Sequence, residues 1–307
     1  MTEFDVTILG TSSSQPAFGR WLSSHIVKYG VELFMIDCGE GTQMQLSKYK
    51  IKRNQISAIF ITHLHGDHIY GLPGVITSFL HYNRQEPLFI YGPKGIESYI
   101  KNFLETSDCH LSYSLIIQEI DTTKHSLVYE YKNYLKVYTV PLNHRIATTG
   151  YVFREFIHNY KINPDKVKEY NLTIEEIKTL KSGQNVERLD GLILNFEDFC
   201  FPKNSSRSYA YLSDTCFHEE VIPLIEKVSL LYHETTYLKD MNKEAISRYH
   251  STTEHASEIA KRAQVKKMII GHYSSRYKFL EDFEAECRAV FPNTYLGIEG
   301  DVHVISE

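Results

Sequence analysis

Along the first 150 residues, short apolar runs alternate with stretches that read as helices. Strand-like runs span Phe4 to Leu9, His25 to Tyr29, Leu33 to Ile36, Ile56 to Ile61, Pro87 to Tyr91 and Tyr134 to Val140. Helical stretches lie between them at Thr42 to Tyr49, Ile69 to His81 and Gly95 to Glu105. Such alternation predicts an α/β sandwich whose helices cover its sheets. From about Phe153 to Lys203 the texture changes, with an arm expected over Tyr160 to Asn195. Asn163-Pro164-Asp165 reads as a helix start. Thr173-Ile174-Glu175-Glu176 reads as a capping box on a second short helix ending near Lys181-Ser182-Gly183, and Asp190-Gly191 as a turn. This segment is expected to be an inserted arm of about 35 residues, longer than most loops of a compact domain. Strand and helix signals resume from Tyr209 to the end.

Composition narrows the classes. With 307 residues, 42% of them hydrophobic and 23% charged, the chain can bury a core and is not a disordered polymer. No apolar run approaches the length of a membrane span and no basic leader precedes Phe4, so neither a membrane segment nor a secretory signal is expected. The five cysteines, Cys38, Cys109, Cys200, Cys216 and Cys287, are odd in number and form no C-x-x-C pair. They indicate neither a disulfide framework nor a thiolate zinc site, and a reducing cytoplasm is the expected compartment. A net charge of −5 counts mildly against a nucleic-acid partner unless one face is locally basic. In the arm, lysines and arginines nearly balance the acids, the pattern of a solvated face.

The strongest chemical signal is Thr62-His63-Leu64-His65-Gly66-Asp67-His68, directly after the apolar run Ile59-Phe60-Ile61. Imidazole nitrogens and carboxylate oxygens bind zinc and other borderline divalent ions. His63 and His65 lie two apart in the loop, and Asp67 and His68 face the helix that follows. Two pairs facing apart suggest two metals. Three later apolar runs also end in a ligand type: Val137 to Val140 before His144, Tyr209 to Leu212 before Asp214, and Met268 to Ile270 before His272. Each alone is more often a cap or surface residue; together with the first motif they form a ligand set. Asp37 is expected to orient the ligand loop from behind. His233-Glu234 reads equally as such a support or as a plain strand end, and Phe18 and Trp21 either stack on bases or pack locally.

At these residues the chain resembles the metallo-β-lactamase superfamily, and within it ribonuclease Z. The similar stretches are Asp37 to Gln43, His63 to His68 with Gly71-Leu72-Pro73-Gly74, Pro141 to Gly150, Ser213-Asp214-Thr215, His250-Ser251-Thr252-Thr253 and His272 to Tyr277. The resemblance implies a four-layer αβ/βα metallo-β-lactamase sandwich over residues 1–307 as one domain, with the arm at 160–195 as a tRNA-binding exosite. It implies two zinc ions per chain: His63, His65 and His144 on one, Asp67, His68 and His272 on the other, and Asp214 bridging both. Asp67 would also be the proton acceptor, His250 would stand near the leaving group, and Arg276 near the substrate phosphates. The implied activity is endonucleolytic removal of 3′ trailers from precursor tRNA, leaving a tRNA 3′-hydroxyl and a trailer 5′-phosphate. The implied assembly is a homodimer in which one subunit's arm serves the other's site. The ligand set alone leaves open a general phosphodiesterase, thioesterase or lactonase. A catalytically silent RNA-binding module is the other alternative.

Overall fold

Alternate residues along each central strand face opposite sides of its sheet, and this chain uses both sides. In a computed structural model describing residues 2–156, 160–202 and 206–306, two seven-stranded sheets stack face to face. The first runs, in order, Val302–Val304, Phe4–Gly10, Ser24–Tyr29, Glu32–Ile36, Ile56–Phe60, Leu88–Pro93 and Leu115–Ile120. The second runs Thr294–Leu296, Met268–Gly271, Leu230–Glu234, Ser208–Leu212, Thr149–Glu155, Leu135–Pro141 and Leu127–Tyr131. In Ile56–Phe60, Ala58 and Phe60 enter the layer between the sheets, where they meet Phe34, Tyr151, Phe153 and Tyr209. Ile59 and Ile61 turn the other way, under the helices Thr42–Lys48, Leu72–His81 and Ile96–Thr106. The second sheet repeats the scheme: Tyr209 and Tyr211 face inward, while Ala210 and Leu212 face the helices Thr253–Arg262 and Glu281–Val290. Helix, sheet, sheet, helix is the four-layer arrangement that the resemblance implies.

In both sheets, parallel strands end at the same edge of the sandwich. Carboxyl ends of parallel strands deliver loops to a common crevice. The helix expected over Ile69 to His81 is broken there into Gly66–Ile69 and Leu72–His81. Gly71 N–H bonds to the Cys38 carbonyl (2.8 Å) instead of continuing the helix, and Pro73 opens the next one. A Cβ on Gly71 would lie 2.2 Å from the Gly39 carbonyl oxygen, so the close approach requires glycine. Cys38 N–H in turn donates to the His68 carbonyl (2.8 Å), locking the loop after Asp37 to the short helix carrying His68.

Between Thr149–Glu155 and Ser208–Leu212 the chain leaves the sandwich. Tyr160–Ile162 pairs antiparallel with Cys200–Pro202, and helices Pro164–Glu169 and Ile174–Lys181 follow. The second helix carries the expected capping box: the Thr173 hydroxyl accepts from Glu176 N–H and the Glu176 carboxylate accepts from Thr173 N–H. Leu172, Leu180, Leu194 and Phe199 form a small core of their own. Phe199 and the closing strand lie past Asn195, so the arm's packing extends to residue 202. No helix among the described residues is long and apolar enough to cross a membrane, and all five cysteines are unpaired.

Candidate metal centre

Each ligand candidate sits just past the end of a strand. His63 and His65 follow Ile56–Phe60, Asp67 and His68 lie on the short helix Gly66–Ile69, His144 follows Leu135–Pro141, Asp214 follows Ser208–Leu212, and His272 follows Met268–Gly271. Asp214 and His272 hold positive φ values of 54° and 60°, as does Asp37 at 56°. Left-handed backbone costs a non-glycine residue about 1–3 kcal/mol and persists where the surroundings impose it, often at functional sites.

The ligand atoms form two groups that share one carboxylate. His65 Nδ1 lies 3.0 Å from His63 Nε2 and 3.3 Å from His144 Nε2. Asp214 Oδ2 faces this group, 3.6 Å from His63 Nε2 and 3.7 Å from His144 Nε2. Its other oxygen, Oδ1, lies 3.2 Å from His68 Nε2 and 3.1 Å from His272 Nε2. Asp67 Oδ2 completes the second group at 3.6 Å from both of those nitrogens, and accepts a hydrogen bond from Ser14 N–H (2.8 Å). The atoms of His63, His65, His144 and Asp214 that could hold an ion all lie within 4.8 Å of one another, as do those of Asp67, His68 and His272, and those of Asp214, His250 and His272.

The partners behind the rings settle which nitrogen faces the centre. Asp37 accepts from His68 Nδ1–H (2.7 Å). His144 Nδ1–H donates to the Tyr249 carbonyl (2.9 Å). Two threonines do the same work through a hydroxyl. Thr62 donates to Asp37 (3.0 Å), so its oxygen accepts from His63 Nδ1–H (3.0 Å). Thr236 donates to Glu234 (2.5 Å), so its oxygen accepts from His272 Nδ1–H (2.9 Å). All four rings therefore turn an Nε2 lone pair towards Asp214. Fixing the tautomer of a ligand histidine through its outer nitrogen is a general device of metal sites.

These residues fit bound cations. His68 Nε2 and His272 Nε2 are buried with no hydrogen-bond partner among the described residues, yet each lies within 3.2 Å of an Asp214 oxygen. Lone pair against carboxylate repels unless positive charge lies between. Taken by themselves, the buried acids and bases compensate one another. Burial alone would raise Asp214, but His272, His68 and His63 hold it well below the usual carboxylate range. Burial alone would lower His68, but Asp214, Asp37 and Asp67 raise it well above the usual imidazole range.

Around the cluster opens a cleft of about 780 Å³. His250 stands on its wall with Nδ1 2.9 Å from Glu234 Oε1. Burial would depress the imidazolium, but the Glu234 carboxylate outweighs it and lifts His250 to about 9. Glu234, fully buried, also accepts from Thr215 N–H (2.7 Å). The strand end His233-Glu234 thus supports the site, a role visible only once the strand Leu230–Glu234 is placed beside His250 and Thr236. Arg276 lines the cleft with its guanidinium 5.1 Å from the Tyr237 ring centre. Trp21 packs locally: a Cβ on Gly41 would lie 2.0 Å from its ring. Phe18 is more than half exposed, with Arg20 5.5 Å from its ring centre. Sequence reading passed over Arg145, Ser14 and the hydroxyls of Thr62 and Thr236. The threonines carried one available signal, since Thr62 directly precedes the ligand candidate His63 and Thr236 lies two residues after the buried Glu234.

Comparison with known proteins accords with this geometry. A family model described as anti-Pycsar protein Apyc1 matches residues 4–112, about a third of the chain. A ribonuclease Z of Parabacteroides distasonis is 41% identical over 300 residues, covering 98% of both chains. A ribonuclease Z of Cytophaga hutchinsonii is 40% identical over 306 residues, covering 99% of this chain and 97% of its own. Among solved structures, the short form of human tRNase Z superposes with a TM-score of 0.72 at 24% identity, covering 99% of this chain and 100% of its own. The metallo-β-lactamase fold protein YhfI from Bacillus subtilis superposes at 0.69 and 16%, with the same coverage. Near-complete coverage at about 40% identity to those bacterial relatives, on a metallo-β-lactamase fold with its ligand-type residues gathered at one edge, places the chain in the ribonuclease Z family.

Proposed function

We propose that the protein is a zinc-dependent endoribonuclease that removes 3′ trailers from tRNA precursors, leaving a tRNA 3′-hydroxyl and a trailer 5′-phosphate. The observation that carries the reading is the shared carboxylate: Asp214 directs one oxygen to each of two ligand groups, in a chain whose relatives are named ribonuclease Z over nearly its full length. His63, His65 and His144 would hold one zinc ion and Asp67, His68 and His272 the other, with Asp214 between them. A zinc pair in such a site supplies an activated water at neutral pH and neutralises charge on phosphoryl oxygens.

The chain's own groups divide the remaining work. Asp67, its Oδ2 oriented by Ser14 N–H, accepts the proton of the attacking water. His250, kept charged by Glu234, donates a proton to the leaving oxygen. Arg276 on the cleft wall contacts a substrate phosphate. The arm beginning at Tyr160 grips the body of the tRNA far from the scissile bond. The assembly is a homodimer in which each arm serves its partner's cleft, and the compartment is the cytoplasm.

Purified protein should cut a 3′-extended tRNA with far higher kcat/KM than a nitrophenyl phosphodiester, since only the tRNA reaches the arm. Equal or better turnover of the small diester would replace this reading with a general phosphodiesterase.

A further inference from the structure

Six imidazoles surround Asp214, and five of them have one ring N–H answered by an acceptor: Asp37, Thr62, Thr236, Glu234 or the Tyr249 carbonyl. His65 is the exception. It turns Nδ1 inward, towards His63 and His144, and its outer nitrogen, Nε2, lies 3.2 Å from Arg145 NH2. A neutral imidazole that offers its Nδ1 lone pair to a cation carries its proton on Nε2. In that state His65 Nε2–H and Arg145 N–H are two donors facing each other, with no acceptor between them.

Arg145 is unusual in a second respect. Three arginines line the cleft: Arg145, Arg248 and Arg276. Arg248 pairs with Glu244, and Arg276 lies 3.9 Å from the same carboxylate. Among the described residues no carboxylate pairs with Arg145, although it sits beside the ligand cluster. A guanidinium next to a dication site is electrostatically unfavourable unless an anion lies close to both.

One ligand resolves both mismatches. We propose that His65 Nε2–H and Arg145 together form a subsite for a single anionic phosphate oxygen of the RNA backbone, in the strand that crosses the cleft beside His65. Two donors 3.2 Å apart converge on one oxygen, and the guanidinium keeps a further N–H for a second oxygen of the same phosphate. The assignment rests on the proposed ribonuclease function and adds to it a specific RNA-binding residue, distinct from Arg276 and from the arm.

The test uses zinc-loaded protein and a 3′-extended tRNA carrying a methylene-bridged phosphonate at the cleavage position, which keeps the charge and blocks the cut. Dissociation constants are measured by fluorescence anisotropy across a salt series, with metal content determined on the same samples. Arg145→Ala should weaken binding about tenfold and flatten the log–log salt dependence by roughly 0.7–0.9, the share of one phosphate. Arg145→Lys should keep most of the slope, and metal content should equal wild type in both. Unchanged affinity and slope in Arg145→Ala would overturn the subsite. Loss of metal with an unchanged slope would also overturn it and make Arg145 a support for His65. Competition by inorganic phosphate at the concentration of the RNA would reassign the pair to free phosphate. If wild-type protein does not bind the analogue, the tRNA reading itself fails and the RNA contact with it; if only the variant's behaviour disagrees, the subsite alone fails.

Discussion

Asp37→Asn tests the support behind the metal centre with the least disturbance. Asn and Asp are nearly isosteric, and Asn tolerates the left-handed backbone at this position (φ 56°), so the shape stays while the hydrogen bonding and one buried negative charge change. Asp37 Oδ1 accepts from Thr62 N–H (2.8 Å), and Oδ2 accepts from His68 Nδ1–H (2.7 Å) and the Tyr211 hydroxyl (3.2 Å). The Thr62 and Tyr211 hydroxyls can turn and accept from an amide. The Thr62 amide and His68 Nδ1–H cannot, and asparagine offers one oxygen for the two of them. If the oxygen stays on the Thr62 amide, His68 has two choices. It keeps an N–H against the asparagine NH₂, or it moves its proton to Nε2, the nitrogen that faces Asp214. The first costs about 1–3 kcal/mol for a buried unsatisfied donor. The second removes a ligand lone pair, and changes to such supporting groups lower metal affinity by about 10–100-fold. Urea unfolding of metal-free protein and chelator-competition titration read the two quantities separately. Wild-type values for both would refute the tautomer argument.

Two further substitutions and one segment replacement probe the proposed chemistry. Asp67→Ala removes a ligand and the proton acceptor together, so kcat should fall by more than the 10²–10⁴ typical of a single base while circular dichroism stays native; near-wild-type cleavage would show the assignment to be wrong. His250→Ala should lower kcat while metal content stays at the wild-type value, because His250 Nδ1 is held by Glu234; unchanged turnover would leave His250 a purely structural partner of Glu234. Replacing residues 160–202 with a Gly-Ser linker, a cut that removes Phe199 and the closing strand with the rest of the arm's core, should raise KM for precursor tRNA at least about tenfold, or 1.4 kcal/mol, and leave small-diester hydrolysis unchanged. Equal loss on both substrates would make the arm a structural support only.

The parts of the site that were legible in the sequence are those whose geometry is local. His63, His65, Asp67 and His68 declare themselves because an apolar strand, a loop and a helix start fix their relative directions within six residues. His144, Asp214 and His272 were legible by analogy of position, each after an apolar strand. What the sequence hid was long-range pairing. Glu234 meets His250 sixteen residues away, Ser14 meets Asp67 across 53, and Tyr211 reaches Asp37 across 174. Arg145 carries no local signal, because its neighbour His65 comes from the loop after a strand of the other sheet. In the fold, the strands Leu115–Ile120, Leu127–Tyr131 and Thr149–Glu155 were overlooked. The first two are edge or near-edge strands with half-exposed residues, whose sequences carry little of the continuous apolar signal that marked the central ones. The break at Gly71 was likewise hidden, since it depends on a backbone contact with Cys38.

The central claim is that two metals in this cluster cut tRNA precursors at a defined 3′ position. The direct measurement is one experiment on wild-type protein purified without added metal. Metal content is determined by elemental analysis, and a 3′-extended tRNA is then cleaved with and without chelator, with both new ends mapped. The account predicts about two zinc ions per chain, as two-metal sites require, cleavage that chelator abolishes and zinc restores, a 3′-hydroxyl on the tRNA and a 5′-phosphate on the trailer. Full activity in metal-free protein, or cleavage that leaves a 3′-phosphate, would contradict it.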